Sequence, residues 1–106
     1  MANTVVVMFS KYPEDSKAFV DMETCLTYIK ICIMNEFEDG GGSMVDSAKS
    51  VFAEYYYDGT FTSSHNPAFL SEFFHWLCSG MSIGDAVEII EPFDYYAIEE
   101  IEFPNF

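Results

Sequence analysis

Six carboxylates crowd the C-terminal end of the chain, Glu88, Glu91, Asp94, Glu99, Glu100 and Glu102, with Tyr95 and Tyr96 set among them. Carboxylates can move protons, hold metal ions or present negative charge, and spacing separates these uses. Acid/base work needs two groups that converge on one bond, whereas neighbours such as Glu99 and Glu100 on a strand point to opposite faces. Charge presentation fits better. Alternate residues of a strand lie about 6.8 Å apart and i,i+3 helical neighbours about 5–6 Å apart. Phosphates along one DNA strand advance about 3.4 Å per step, so alternate strand positions fall near two such steps. The bland reading of the same residues is a solvated face.

Other chemistry finds little support. His75 and Cys78 stand one helical turn apart with His65 nearby, but no second His or Cys pair has ligand spacing, and structural zinc takes four closed ligands. A core thiol beside a partly exposed imidazole is the expectation there. The stretch 35–46 has a glycine at the sixth place of a calcium-loop register, yet Phe37 occupies a ligand place and the last place is Asp46. There is no Gly-rich phosphate loop, no G-x-S-x-G elbow and no Cys–His pair in a recognisable setting. We therefore expect no metal, no cofactor and no catalysis.

The charge balance explains why the acidic set stands out. The 106 residues carry eighteen Asp and Glu against four Lys and no Arg, a net charge of −14. From Ser50 to Phe106 no cation offsets ten carboxylates. Such a chain repels itself and nucleic acid or anionic lipid alike, so a strongly basic protein is the expected partner. Halophilic adaptation also yields acidic proteins, but it favours Arg and thins out large apolar side chains, and neither holds here. Half the residues are apolar, so the chain should fold rather than stay a disordered acidic tail. Eleven Phe, seven Tyr and one Trp are many for one small core. A homodimer or a large partner footprint would account for rings at the surface. Core packing and interface both fit Tyr95 and Tyr96; Tyr55 is expected to pack.

The elements that must position these residues read as an α+β fold in one domain, residues 1–106. A short antiparallel sheet of N- and C-terminal strands would pack against two to four helices. Thr4 to Phe9 is a β-branched apolar strand, Ser10 to Ser16 a turn, and Lys17 to Asp21 a returning strand. Met22, Cys25, Leu26, Ile29, Ile33 and Phe37 mark a helix over Met22 to Glu38, capped by Asp21 and stopped by Gly40 to Gly42. Ser43 and Asp46 suggest a capping box opening a helix from Met44 to Tyr57. The rival there is a hairpin turning at Asp58-Gly59. Asn66-Pro67 reads as N-cap and first residue of an aromatic-rich helix ended by Gly80. Ser82 would cap a helix through Ile90, broken by Pro92, and Phe93 to Phe103 would form the last strand, with carboxylates on both faces.

Cys25, Cys32 and Cys78 show no framework spacing; free, mostly buried thiols in a reducing cytoplasm are expected. The apolar run Val5 to Phe9 is too short for a signal peptide, and no stretch approaches a membrane span.

In style the chain resembles the small acidic DNA-mimic inhibitors of phages and mobile elements: antirestriction proteins, uracil-DNA glycosylase inhibitors and some anti-CRISPR proteins. The run Asp94-Tyr95-Tyr96-Ala97-Ile98-Glu99-Glu100 is similar to the acidic-aromatic strands of conjugative antirestriction proteins, which are longer and built from several modules. The resemblance implies a non-catalytic inhibitor that occupies the nucleic-acid groove of a host protein. Glu88, Glu91, Asp94, Glu99, Glu100 and Glu102 are the expected contacts, with Tyr95 and Tyr96 as anchors. Two other readings stand beside it: an adaptor or allosteric inhibitor acting through an aromatic surface, and an antitoxin-like neutraliser of a basic protein.

Overall fold

A computed structural model of the chain describes residues 3–57 and 67–103. Among these residues three strands and four helices follow in the order β1 (Asn3–Ser10), β2 (Lys17–Phe19), α1 (Met22–Glu38), α2 (Ser43–Tyr55), α3 (Pro67–Ser79), α4 (Ile83–Ile90) and β3 (Tyr95–Phe103). Short 3-10 turns at Pro13–Asp15 and Glu91–Phe93 link β1 to β2 and α4 to β3. The expected α+β fold is what forms: an antiparallel sheet of N- and C-terminal strands packed against helices.

β1 lies in the centre of the sheet, in the order β2-β1-β3. Central placement suits its unbroken apolar run, since both of its faces are covered more than an edge strand's would be. Val6 and Met8 are buried on the helix side, and Ile98, opposite Met8, joins them from β3. The alternate residues Val5, Val7 and Ile101 are half-buried on the other face. β2 is shorter than expected: pairing stops at Phe19, and Val20 turns out to solvent before the α1 cap.

α1 occupies the expected span, and the Asp21 side chain accepts the Thr24 backbone N–H at 2.7 Å. Cys25, Ile29 and Ile33 are its buried stripe. α2 corrects an expectation. Its cap residue is Gly42 and Ser43 is already helical, so no Ser43 capping box forms. The Glu36 carboxylate of α1 instead accepts the Met44 N–H at 3.0 Å, a donor from the neighbouring helix's first turn. A Cβ on Gly42 would run into that carboxylate. α2 runs into the tyrosines, which rules out a strand there; it ends at Tyr55, with the Tyr56 and Tyr57 N–H groups both donating to the Phe52 carbonyl. The proposed turn at Asp58-Gly59 and the Asn66 cap lie outside the described residues.

Phe52 is the hub of the core. Its ring meets Phe69, Phe73 and Trp76 at centroid distances of 5.4, 5.9 and 5.3 Å, close to the range that aromatic pairs prefer. Phe37 and Phe74 extend the cluster with an edge contact at 4.8 Å. α4 has the expected Ser82 cap, in full reciprocal form with Asp85. After Pro92 the backbone needs Asp94 in the left-handed region, at φ 71°, so β3 begins at Tyr95 rather than Phe93. Asp is among the few residues that adopt that conformation at small cost.

Candidate partner-binding surface

The sheet order leaves β3 at an edge, with no strand beside its outer side among the described residues. Residues opposite one another in an antiparallel pair share a face, so register assigns each carboxylate. Glu100 faces Val6 and Glu102 faces Thr4, on the helix side of the sheet; Glu99 faces Val7, on the other side. All three are exposed. The edge is therefore a ridge with carboxylates on both flanks. Charges along an edge strand also hinder another copy of the same strand from pairing there.

The remaining expected residues separate into different roles. Tyr96 occupies the irregularity in register between Phe9 and Ser10, stacks on Phe9 at 6.1 Å and is 58% exposed, an accessible ring beside the ridge. Tyr95 is half-buried against the core, and its hydroxyl donates to the Asp15 carbonyl at 3.1 Å. That hydrogen bond pins the β1–β2 connection and gives Tyr95 a structural task. Asp94 is half-buried and works through its backbone, whose carbonyl accepts the Lys11 N–H at 2.9 Å. Glu91 is exposed in the turn before it. Glu88 belongs to a separate locus, since its carboxylate accepts the Tyr55 hydroxyl at 2.9 Å. The eight residues thus do not form one patch. Glu99, Glu100, Glu102 and Tyr96 share the β3 edge, Glu91 and Asp94 lie at the turn leading into it, and Glu88 faces α2.

Around Glu88 the structure adds residues that sequence reasoning passed over. The Tyr56 hydroxyl donates to Asp85 Oδ2 at 2.7 Å, and the same oxygen accepts the Ser82 N–H at 3.0 Å. Asp85 is buried, so its cap bond and its phenol bond are partly shielded from water. The bonds donated to Glu88 and Asp85 are the main reason that both phenols, Tyr55 and Tyr56, ionise above their ordinary range. The Trp76 indole N–H is buried without a hydrogen bond of good geometry; it lies near the Tyr56 hydroxyl and slightly offsets that rise. Tyr55, expected to pack, is 53% exposed. The Ser82-x-x-Asp85 spacing was readable as a cap, but its tie to Tyr56, 29 residues back, was not.

Of the four lysines, Lys11 adjoins Asp94 through its backbone at the turn before β3, and the other three sit elsewhere. Lys49 is buried, with its ammonium 5.6 Å from the Phe37 ring centre, and Lys17 lies over Tyr28 at 5.9 Å. Lys30 reaches the Cys78 carbonyl at 3.4 Å. Cys25 is buried and its thiol is pushed up by desolvation, whereas Cys78 is exposed, against the expectation of a core thiol beside His75. Among the described residues no group of three His, Cys, Asp or Glu is placed to hold a metal ion, and no helix is long and apolar enough to cross a membrane. Compared with known proteins, the chain matches no family model, no curated protein and no solved structure.

Proposed function

We propose that the chain is a non-catalytic inhibitor, acting in the cytoplasm, that occupies the basic nucleic-acid-binding surface of a host defence or nucleic-acid-processing protein, in the manner of the anti-restriction and anti-CRISPR nucleic-acid mimics. The observation that carries this reading is the open edge of β3, where Glu99 flanks one side and Glu100 and Glu102 the other. A groove built to straddle a phosphate backbone can grip such a ridge from both sides. The opposed faces that would weaken a flat-patch interface are what a straddled edge requires.

Charge density points the same way. The molecule measures 53 Å along its longest axis, and apart from Asp58 every charged side chain lies in the described part. One net negative charge therefore falls to about 4 Å of length, close to the 3.4 Å per charge of a single nucleic-acid strand and under half the density of a duplex. Steering by such a field makes association fast and salt-sensitive, and a desolvated ring such as Tyr96 adds affinity that salt does not screen.

A second reading has its own observation. Tyr96 and Phe9 stack beside the half-buried Val5, Val7 and Ile101, so an aromatic-apolar face adjoins the acidic ridge and could serve an adaptor. Paired variants separate the two. Glu99→Lys with Glu102→Lys is expected to weaken partner binding at least about ten-fold in calorimetry at low salt, since two attractive contacts become repulsive. If that variant binds normally while Tyr96→Ala does not bind, the adaptor reading replaces the mimic.

A further inference from the structure

The last residues of α2 and the outer face of α4 form a structure that the acidic ridge does not use. Tyr55 and Tyr56 are consecutive, Asp85 and Glu88 stand one helical turn apart, and two phenol–carboxylate bonds join them. Both rings remain about half exposed, at 53% and 49%. They are fixed at the hydroxyl end, so a ligand that lies on them need not order them first. Tyr56, Phe52 and Trp76 line a cleft of about 640 Å³ together with Glu72 and His75. Tyr56 also lines a shallower depression of about 380 Å³, with Tyr55, Asp85 and Glu88. The two adjoin at Tyr56 and together form one trough.

The chemistry of that trough selects its ligand. Its walls carry Glu72, Asp85 and Glu88 but no lysine, so an anion would be repelled and a cation attracted. A cation over a phenol ring within about 6 Å of its centre is attracted by the ring's negative face. A phenol that donates to a carboxylate holds more electron density in its ring, which strengthens that attraction. An exposed carboxylate has lone-pair sites beyond the one its phenol takes, so Glu88 can still accept a planar donor fork. Glu72, in the lining of the cleft, offers the same. Guanidinium combines flat stacking with a bidentate fork, while ammonium has only a point charge. The cleft is also larger than one side chain and has room for flanking peptide.

We infer that this trough binds an arginine side chain of the protein partner, stacked on Tyr56 with Glu72 and Glu88 as its counter-ions. The inference rests on the partner being basic, as proposed above, and it adds a contact separate from the β3 ridge.

The sole tryptophan of the chain, Trp76, lies in the wall and reports on occupancy. Tetra-arginine peptide titrated at low salt is expected to change Trp76 fluorescence saturably, with at least about three-fold tighter binding than tetra-lysine. Glu72→Gln with Glu88→Gln should weaken the tetra-arginine response at least about five-fold. Glu99→Gln with Glu102→Gln, on the ridge, should leave that response unchanged. Thermal melts of each variant confirm that it folds. Calorimetric binding of tetra-arginine without a Trp76 response would overturn the trough while leaving the basic-partner reading intact. Equal loss in both double variants, or equal affinity for the two peptides, would overturn it as well, because undirected charge attraction then suffices. No binding of tetra-arginine at all would overturn the trough and remove its support for a basic partner.

Discussion

Asp21 and the pair Tyr55–Tyr56 show how single ionisable groups hold this fold, with opposite dependence on pH. The Asp21 carboxylate accepts the Thr24 N–H, which lowers its pKa below the ordinary 3.8. A group held in its charged form contributes fully above its unfolded value and loses that contribution as pH falls through the folded one. The urea midpoint of Asp21→Ala should lie below that of the parent at pH 7, and the gap should close as pH drops below about 3.8. A gap that persists in acid would show that the cap does not act through its charge. The phenols behave in reverse. Bonded to Glu88 and Asp85, they ionise above their ordinary value of 10.0, so their contribution is complete below that pH and fades above it. The variant with both Tyr55→Phe and Tyr56→Phe should lose less stability between pH 9 and 11 than the parent does, read from urea midpoints. A remaining alkaline fall is expected from Tyr28, which desolvation also raises.

At the scale of elements, local pattern and through-space contacts divide the fold between them. The periodic stripe and the Asp21 cap of α1 could be read from sequence because both lie within a few residues of each other. Pro92 likewise marked the end of α4. The start of α2 was not legible: Ser43 has the right chemistry for a cap, but the Glu36 carboxylate is already there, delivered by the preceding helix across three glycines. The faces of β3 were legible as alternation, whereas its place at the sheet edge depends on which strand pairs with β1. That pairing turns Glu99, Glu100 and Glu102 from a candidate solvated face into a two-sided ridge. The split of the eight expected residues has the same origin, since Tyr95 reaches back 80 residues to Asp15 and Glu88 reaches back 33 to Tyr55. Aromatic packing carries the helices. Phe73 is fully buried against Phe52, Phe69 and Trp76, and Phe73→Ala should cost about 3–5 kcal/mol in urea unfolding. A cost under about 1 kcal/mol would mean that the cluster closes over the space or is not the core.

For the whole molecule the dominant quantity is a net charge of −14. At about 10 mM salt the Debye length is near 30 Å and comparable to the short dimensions of 26 and 22 Å, so carboxylates repel one another across the body. Near 1 M salt the length is about 3 Å and only neighbours interact. The thermal midpoint should therefore rise with sodium chloride, as the compact state loses its self-repulsion. A midpoint that stays flat would show that the charge is balanced locally. The same repulsion is what a basic partner would relieve on binding, which connects stability to the proposed function. The direct test is capture. The chain, immobilised, is exposed to lysate of the cells that naturally contain it, with and without excess nucleic acid, beside the Glu99→Lys, Glu102→Lys variant. A nucleic-acid-binding protein should be retained, nucleic acid should displace it, and the charge-reversed edge should fail to hold it. A retained protein that ignores nucleic acid, salt and charge reversal would show that the acidic edge is not what the partner grips.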